Sequence, residues 1–362
     1  TNSKDIVGGS KSRKNLLFFG TDGIRGKATT LLKEELVKKL GYWCSNVLPK
    51  SGPILIGQDS RSSSQRISSD LTFGLNHAGR EVWLLGLCPT PTIPYLIRKY
   101  DASGGLMVSA SHNPPEDNGI KIFDCDGEKL SLEKERIIDE GLQEKMIFSH
   151  SKKNYFNRYD LLKDYEDSLI KLIDQETLKG IPIVLDLCWG SATSCAVKIF
   201  ESLGAKVTSI NSEPNGNKIN VNCGSTHLSN IKETVLKTQS EMGFAFDGDA
   251  DRMIAIDRKG RVLDGDHILY LWGSYLKEQN LLYEQRLVAT VMSNLGFEKA
   301  WREKGGLFER TPVGDKNVHQ AVIKTKASLG GEQSGHILSR LNNLCGDGLL
   351  TALQISNICK KK

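Results

Sequence analysis

Nothing in the 362 residues approaches the ~18 unbroken apolar positions that a membrane-spanning helix requires. The opening residues are polar and lack the apolar core of a signal peptide. Close cysteine pairs are missing too. The eight cysteines (Cys44, Cys88, Cys125, Cys188, Cys195, Cys223, Cys345 and Cys359) contain no CxxC spacing. A zinc site or redox motif needs close pairs, and a disulfide framework needs many cysteines in a short chain. They therefore read as free thiols, small apolar residues of a reducing cytoplasm. A large excess of one charge is also absent, since 48 Lys and Arg against 43 Asp and Glu leave a net +5. That excess is spread along the chain apart from Lys360-Lys361-Lys362, which gives little ground for a nucleic-acid partner. These absences exclude membrane, fibrous and disulfide-scaffold classes.

What is present is the composition of a soluble globular protein, with 39% hydrophobic and 25% charged residues. At ~150 residues per domain the length predicts about two to three domains. Strand-like apolar runs alternate with amphipathic stretches, the pattern of α/β architecture. Ile54–Gly57 reads as a buried strand, Ser64–Gly79 as a helix ended by glycine, and Val82–Leu87 and Gly105–Ser109 as further strands. The cycle restarts at Ile181–Asp186, with a helix near Ala192–Leu203 and a strand at Ala205–Ile210. A helix near Asp266–Gln279 and a strand at Leu287–Val291 mark a third restart. The polar segment Phe148–Tyr159 is one expected join, and Gly260–Asp266 a second. The expected organisation is a flexible basic arm at 1–14, then three tandem α/β units at 15–158, 159–262 and 263–362.

Four segments carry chemistry. In Phe246–Arg252 (FDGDADR), Asp247, Asp249 and Asp251 alternate, so an extended backbone points all three to one side. Only Gly and Ala lie between them, and three like charges this close are most simply relieved by a divalent ion. All-oxygen ligands favour Mg²⁺ or Ca²⁺. An EF-hand is excluded, because Arg252 and Arg258 stand where its Gly and Glu belong. A solvated acidic turn is the plain alternative, disfavoured by the apolar runs on both sides. In Ser109–Lys121 (SASHNPPEDNGIK), Ser111 falls on a loop just beyond a strand end. A serine nucleophile needs a base, a metal or a charged neighbour, and His112 and Lys121 are the nearby proton carriers. Ser-His-Asn-Pro is equally good turn chemistry, and on spacing alone both readings stand. Gly330–His336 (GGEQSGH) sets polar side chains between glycines, as suits a loop around a hydroxylated ligand or simply a turn. In Phe19–Gly26 (FGTDGIRG), Arg25 between glycines could reach a phosphate, or could be a solvated turn residue; the glycine spacing matches neither GxGxxG nor the P-loop.

Taken in order, GTDGIRG (20–26), SASHNP (109–114), DGDADR (247–252) and GGEQSGH (330–336) resemble the α-D-phosphohexomutase family. They most closely resemble its phosphoglucosamine mutase branch, to which Gln333 between Glu332 and Ser334 also points. The resemblance extends to Asp117–Lys121, Ser293–Gly296 and Gly346–Gly348, and so covers nearly the whole chain. It implies three α/β domains with mixed sheets around a central cleft. It implies an isomerase that interconverts glucosamine 6-phosphate and glucosamine 1-phosphate through a phosphoserine. Ser111 would carry the phosphoryl group. Asp247, Asp249 and Asp251, together with Ser111, would hold one Mg²⁺ per active site, and Arg252 would offset remaining charge. Lys121 would be the first proton carrier, with His112 and His336 as others; Glu332 and Ser334, with His336 and Arg25, would contact substrate. Glucosamine or glucose 1,6-bisphosphate would serve as intermediate and activator.

The implied partner is a small hexosamine phosphate in the cytoplasm, with no nucleic acid or membrane, and with a homodimer left open. Full-length members end in a fourth domain whose Arg-Ser-Gly-Thr loop grips the distal phosphate, and no such loop occurs in this sequence. The expectation is that these residues keep Mg²⁺ binding and a phosphorylatable Ser111, with weak substrate affinity and poor turnover. Alternatives are a phosphoglucomutase or phosphomannomutase, a non-catalytic sugar-phosphate-binding relative, and a metal-dependent phosphomonoesterase.

Overall fold

A computed structural model describes residues 16–361. The expected arm at 1–14 lies outside the described residues. The described residues form three sheets in succession, each mixed and each flanked by helices. The first contains β1 (Ile24–Lys27), β2 (Ile54–Gln58), β3 (Val82–Leu87), β4 (Gly104–Val108), β5 (Asp117–Phe123) and β6 (Tyr155–Asn157), in the order β1-β5-β4-β2-β3-β6. The pairs β4–β2, β2–β3 and β3–β6 are parallel, while β1–β5 and β5–β4 are antiparallel.

The central strand shows how sequence sets the layers. In β2 every residue from Ile54 to Gly57 is buried, as expected where helices cover both faces of a parallel sheet. Ile54 and Ile56 pack with Val37, Leu40, Ile67 and Leu71 of the helices Glu34–Val47 and Ser64–His77. Leu55 points the other way, into Ile93, Leu96 and Ile97 of the helix Thr92–Tyr100. Alternation along one strand therefore fills two cores.

The second sheet runs β11-β10-β9-β7-β8, from β7 (Pro182–Asp186), β8 (Lys206–Ile210), β9 (Met242–Phe246), β10 (Met253–Asp257) and β11 (Val262–Leu263). The third runs β13-β12-β14-β15, from β12 (Arg286–Thr290), β13 (Leu307–Thr311), β14 (Leu329–Gly331) and β15 (Ile337–Ser339). One hydrophobic cluster joins Phe200 and Phe244 of the second unit to Trp272, Trp301 and Leu353 of the third. Among the described residues no helix is long and apolar enough to cross a membrane.

Three local expectations change. The segment 148–159 is not only a join, because Tyr155–Asn157 pairs parallel with Val82–Leu84 as an edge strand. The helix expected near 192–203 is split into a 3-10 turn at Ser191–Ser194 and a helix at Ala196–Ser202, with Cys195 at φ −149° between them. The expected second join at 260–266 holds β11 and Asp264, whose carboxylate caps the helix Gly265–Glu278 by accepting from the backbone of Asp266 and His267.

Tyr165 and Asp347 tie the second unit to the last helix, Gly348–Lys361. The buried Tyr165 hydroxyl donates to both Asp347 oxygens, at 3.0 and 2.9 Å, while Leu350 N–H donates to Oδ1 at 2.9 Å. Burial pushes the Asp347 carboxyl from its ordinary 3.8 up to about 6. A folded pKa above the unfolded one favours the protonated acid. Its stabilising contribution is complete below pH 3.8 and is lost as pH rises through about 6. Asp347→Asn keeps an oxygen for both donors and cannot ionise. Relative to wild type it should therefore gain on the order of 3 kcal/mol between about pH 4 and about pH 8. Denaturant melts across that range check this, and parallel stability curves for the two proteins contradict it.

Candidate active site

The site lies at the strand ends, where an open α/β sheet places its ligand loops. Ser111 follows β4 in a left-handed conformation (φ +52°), and its hydroxyl is buried. Its amide donates to Ser109 Oγ at 2.9 Å, and Ser109 in turn donates to Asp59 at 2.7 Å. The Ser111 hydroxyl donates to Asp247 Oδ2 at 2.5 Å, across 136 positions of sequence.

Asp247, Asp249 and Asp251 each offer an oxygen within 4.8 Å of the others, and all three are buried. They do not converge by alternation along an extended segment. Met253 pairs with Phe246, so residues 247–252 form a hairpin loop between β9 and β10, with Ala250 at φ +56°. The turn folds the carboxylates inward, and the small residues between them let it do so. A Cβ on Gly248 would stand 2.5 Å from the Ser111 carbonyl oxygen, so glycine is what lets the acidic loop and the serine loop touch.

Lys121, on β5, sits beneath this loop. Its ammonium is 2.5 Å from Asp249 Oδ2, 3.0 Å from Asp251 Oδ2 and 3.5 Å from Asp22 Oδ2. Burial opposes the charge on Lys121, but Asp22, Asp249 and Asp251 outweigh it and hold the ammonium well above its ordinary range. Burial likewise pushes Asp251 up, yet Lys121, His336 and Arg252 overcome this and hold its carboxyl below the usual range. Asp247 moves the other way, raised first by burial and then by its two acidic neighbours. The remaining oxygens Asp249 Oδ1 and Asp251 Oδ1 are buried and accept no hydrogen bond. Buried oxygens without donors are costly unless a cation meets them. The donor set is all carboxylate, which fits Mg²⁺.

The other expected residues gather around this centre. His336 Nε2 is 3.8 Å from Asp251. Arg25 pairs with Asp22 at 3.0 Å and reaches Asn113 at 3.5 Å. The Arg252 amide donates to Asp247 at 3.2 Å, and its buried Nε has no hydrogen-bond partner. Burial, then Arg252 and Arg25, lower His112 to about 4, so its ring is neutral near pH 7. Glu332 lies farther along the loop, where it accepts from Gly314 N–H at 3.1 Å; Ser334 Oγ is buried without a partner. A cleft of about 750 Å³ opens between the first and third units, lined by Thr90, Lys121, Lys129, Asp251, Asp315 and His336.

Several contributors stand outside the four motifs. Thr90, after β3, donates its hydroxyl to Asp249 Oδ2 at 2.5 Å and its amide to the Asp249 carbonyl at 2.9 Å. Asp22, inside the first motif but not singled out there, accepts from Lys129 at 2.6 Å, and Lys129 also pairs with Asp315. Asp59 and Arg61 follow β2 as a fully buried ion pair at 2.9 Å. For Thr90, Asp59 and Arg61 the only sequence signal is their position just past a strand.

Comparison with known proteins fits this architecture. The chain matches three family descriptions for phosphoglucomutase/phosphomannomutase alpha/beta/alpha domains: domain I over residues 16–146, domain II over 163–260 and domain III over 264–362. It is 65% identical to a phosphoglucosamine mutase of Prochlorococcus marinus, over all of this chain and 79% of that protein. It is 56% identical to a phosphoglucosamine mutase of a Synechococcus species, over 97% of this chain and 78% of the relative. Among solved structures, a phosphoglucomutase/phosphomannomutase family protein from Burkholderia thailandensis superposes with a TM-score of 0.82 at 24% identity, covering 94% of this chain and 77% of that one. Three domain matches in tandem, on a chain whose acidic loop and serine loop touch, place it in the phosphoglucomutase/phosphomannomutase family, the α-D-phosphohexomutases.

Proposed function

We propose that the chain is a phosphoglucosamine mutase that interconverts glucosamine 6-phosphate and glucosamine 1-phosphate by way of phospho-Ser111. The contact between the Ser111 hydroxyl and Asp247 at 2.5 Å carries this reading, because it sets a nucleophile against an acidic metal-type cluster. Identity of 65% to a protein of that name supports the choice of branch. So does Gln333, whose Nε2 donates to Asp264 at 3.4 Å and leaves Oε1 as an acceptor for a 2-ammonium group.

In this reading Asp247, Asp249 and Asp251 would hold one Mg²⁺, which when bound would neutralise charge on the phosphoryl oxygens. Phospho-Ser111 gives its phosphoryl group to O1 of glucosamine 6-phosphate, and the bisphosphate then returns its 6-phosphoryl group to Ser111. In each half of the cycle Lys121, already in its donor form between Asp249 and Asp251, gives its proton to the departing oxygen (Ser111 Oγ, then sugar O6) and, as the amine, takes the proton of the attacking hydroxyl (sugar O1, then Ser111), so it ends each half as the ammonium. Arg252 offsets charge. Glu332, Ser334 and His336 meet the sugar from the third unit, and Arg25 meets a phosphate from the first. His112, neutral, orients rather than carries charge. Glucosamine or glucose 1,6-bisphosphate would load the serine. Units 15–158, 159–262 and 263–362 would supply the serine, acidic and sugar loops in turn, although β11 (Val262–Leu263) of the second sheet straddles the second of these boundaries.

Incubation with glucose 1,6-bisphosphate and Mg²⁺ should add one phosphate to the chain in intact-mass spectra, and Ser111→Ala should abolish the adduct. Among glucosamine, glucose and mannose 6-phosphates, the glucosamine substrate should give the highest kcat/KM, with Ser111→Ala lowering kcat by roughly 10⁴-fold or more. Release of inorganic phosphate without a sugar 1-phosphate would instead mark a phosphomonoesterase. An unmodified wild-type chain would sink the reading.

The acidic cluster makes a separate prediction. Mg²⁺ at about 100 times its Kd should stabilise the fold by ~2.7 kcal/mol in thermal denaturation. The double variant Asp247→Asn/Asp249→Asn should lose that gain. An equal Mg²⁺ shift in both proteins would place the ion elsewhere.

A further inference from the structure

The serine loop is held by two side chains that no motif contains. Arg61, buried in the first unit, donates through NH2 to the carbonyl oxygens of Ser111 (3.2 Å) and Asn113 (2.8 Å). Asn220, in the loop after β8 of the second unit, donates through Nδ2 to the same two oxygens, at 2.8 and 3.0 Å. One donor therefore comes from each unit, and both bridge one pair of carbonyls. The Asn220 amide is itself oriented. The Cys188 thiol donates to its Oδ1 at 3.0 Å, which turns Nδ2 towards the serine loop. Cys188 is buried, with Cys223 Sγ 3.8 Å behind it. Ser111 needs such restraint, because a non-glycine residue at φ +52° is held only when its surroundings fix it.

We propose that Asn220 is a positioning residue for phosphoryl transfer: it locks the Ser111 loop against the acidic loop across the boundary between the first two units, with Cys188 setting its amide. This rests on the reading of Ser111 as the phosphoryl carrier. Arg61 already holds the loop from its own unit, so it would keep its shape without Asn220. What Asn220 adds is register between nucleophile and metal loop, and a misplacement of about 1 Å is enough to cost on the order of 10²-fold in rate.

The test is the single-turnover rate at which glucose 1,6-bisphosphate loads Ser111, followed by intact mass, alongside thermal stability and the Mg²⁺-induced shift in melting temperature. Asn220→Asp keeps the shape and the acceptor for Cys188 but turns an acceptor towards the two carbonyls. It should load at least about 10-fold more slowly, while the Mg²⁺ shift stays at the wild-type value. Cys188→Ala should slow loading as well, and Cys188→Ser, whose hydroxyl can donate to Oδ1, should recover most of that loss. This pair decides the matter even if Asn220→Asp folds poorly. If the wild type loads and all variants load at its rate, the positioning role is wrong while the phosphoserine reading survives. Equal losses in Cys188→Ala and Cys188→Ser likewise overturn it, as they would show a packing effect only. A wild type that does not load removes both.

Discussion

Everything at this site follows from the cost of burying three carboxylates within 4.8 Å of each other. Like charges removed from water repel strongly, and the fold answers by surrounding the acidic hairpin with groups from all three units. Lys121 and Thr90 arrive from the first, Arg252 from the hairpin itself, and His336 from the third. Two carboxylate oxygens still have no donor. The hairpin is thus both a cluster of three buried carboxylates and a place where the units meet. Gly335 and Gly348 of the third unit complete that meeting: Met253 N–H donates to the Gly335 carbonyl at 3.2 Å, and Gly348 N–H donates to the Ala250 carbonyl at 2.9 Å.

Close approach is what this arrangement demands of the backbone. Gly248 lets the hairpin touch the Ser111 loop, and the left-handed turns at Ser111 and Ala250 bend each loop towards the other. Such conformations persist only when neighbouring groups over-determine them, which the Arg61 and Asn220 donors do for the serine loop. Mobility of the units relative to one another would therefore act directly on the distance between nucleophile and cation.

Much of the architecture was legible in the chain. β2, β4, β7 and β12 are short runs of apolar residues, and a strand buried on both faces has few other ways to be written. The edge strand Tyr155–Asn157 was not, because it lies in a polar segment and exists only by pairing with distant Val82–Leu84. The acidic triplet announced a cation but not its geometry. Spacing of two suggested an extended segment, whereas the hairpin uses a positive φ at Ala250 that an alanine does not advertise. Asp59, Arg61, Thr90 and Asn220 were invisible for another reason. Each is one polar residue in a loop, and only the topology brings Asp59, Arg61 and Asn220 to the serine loop and Thr90 to the acidic loop.

The central claim is that the phosphoserine and the cation share one site. Mn²⁺ in place of Mg²⁺, added to the phospho-Ser111 protein, tests it through the ³¹P resonance of the phosphoserine. The account predicts that this resonance broadens beyond detection at stoichiometric Mn²⁺ and stays sharp in Asp247→Asn/Asp249→Asn. A resonance that remains sharp in the wild-type protein with Mn²⁺ bound would contradict it.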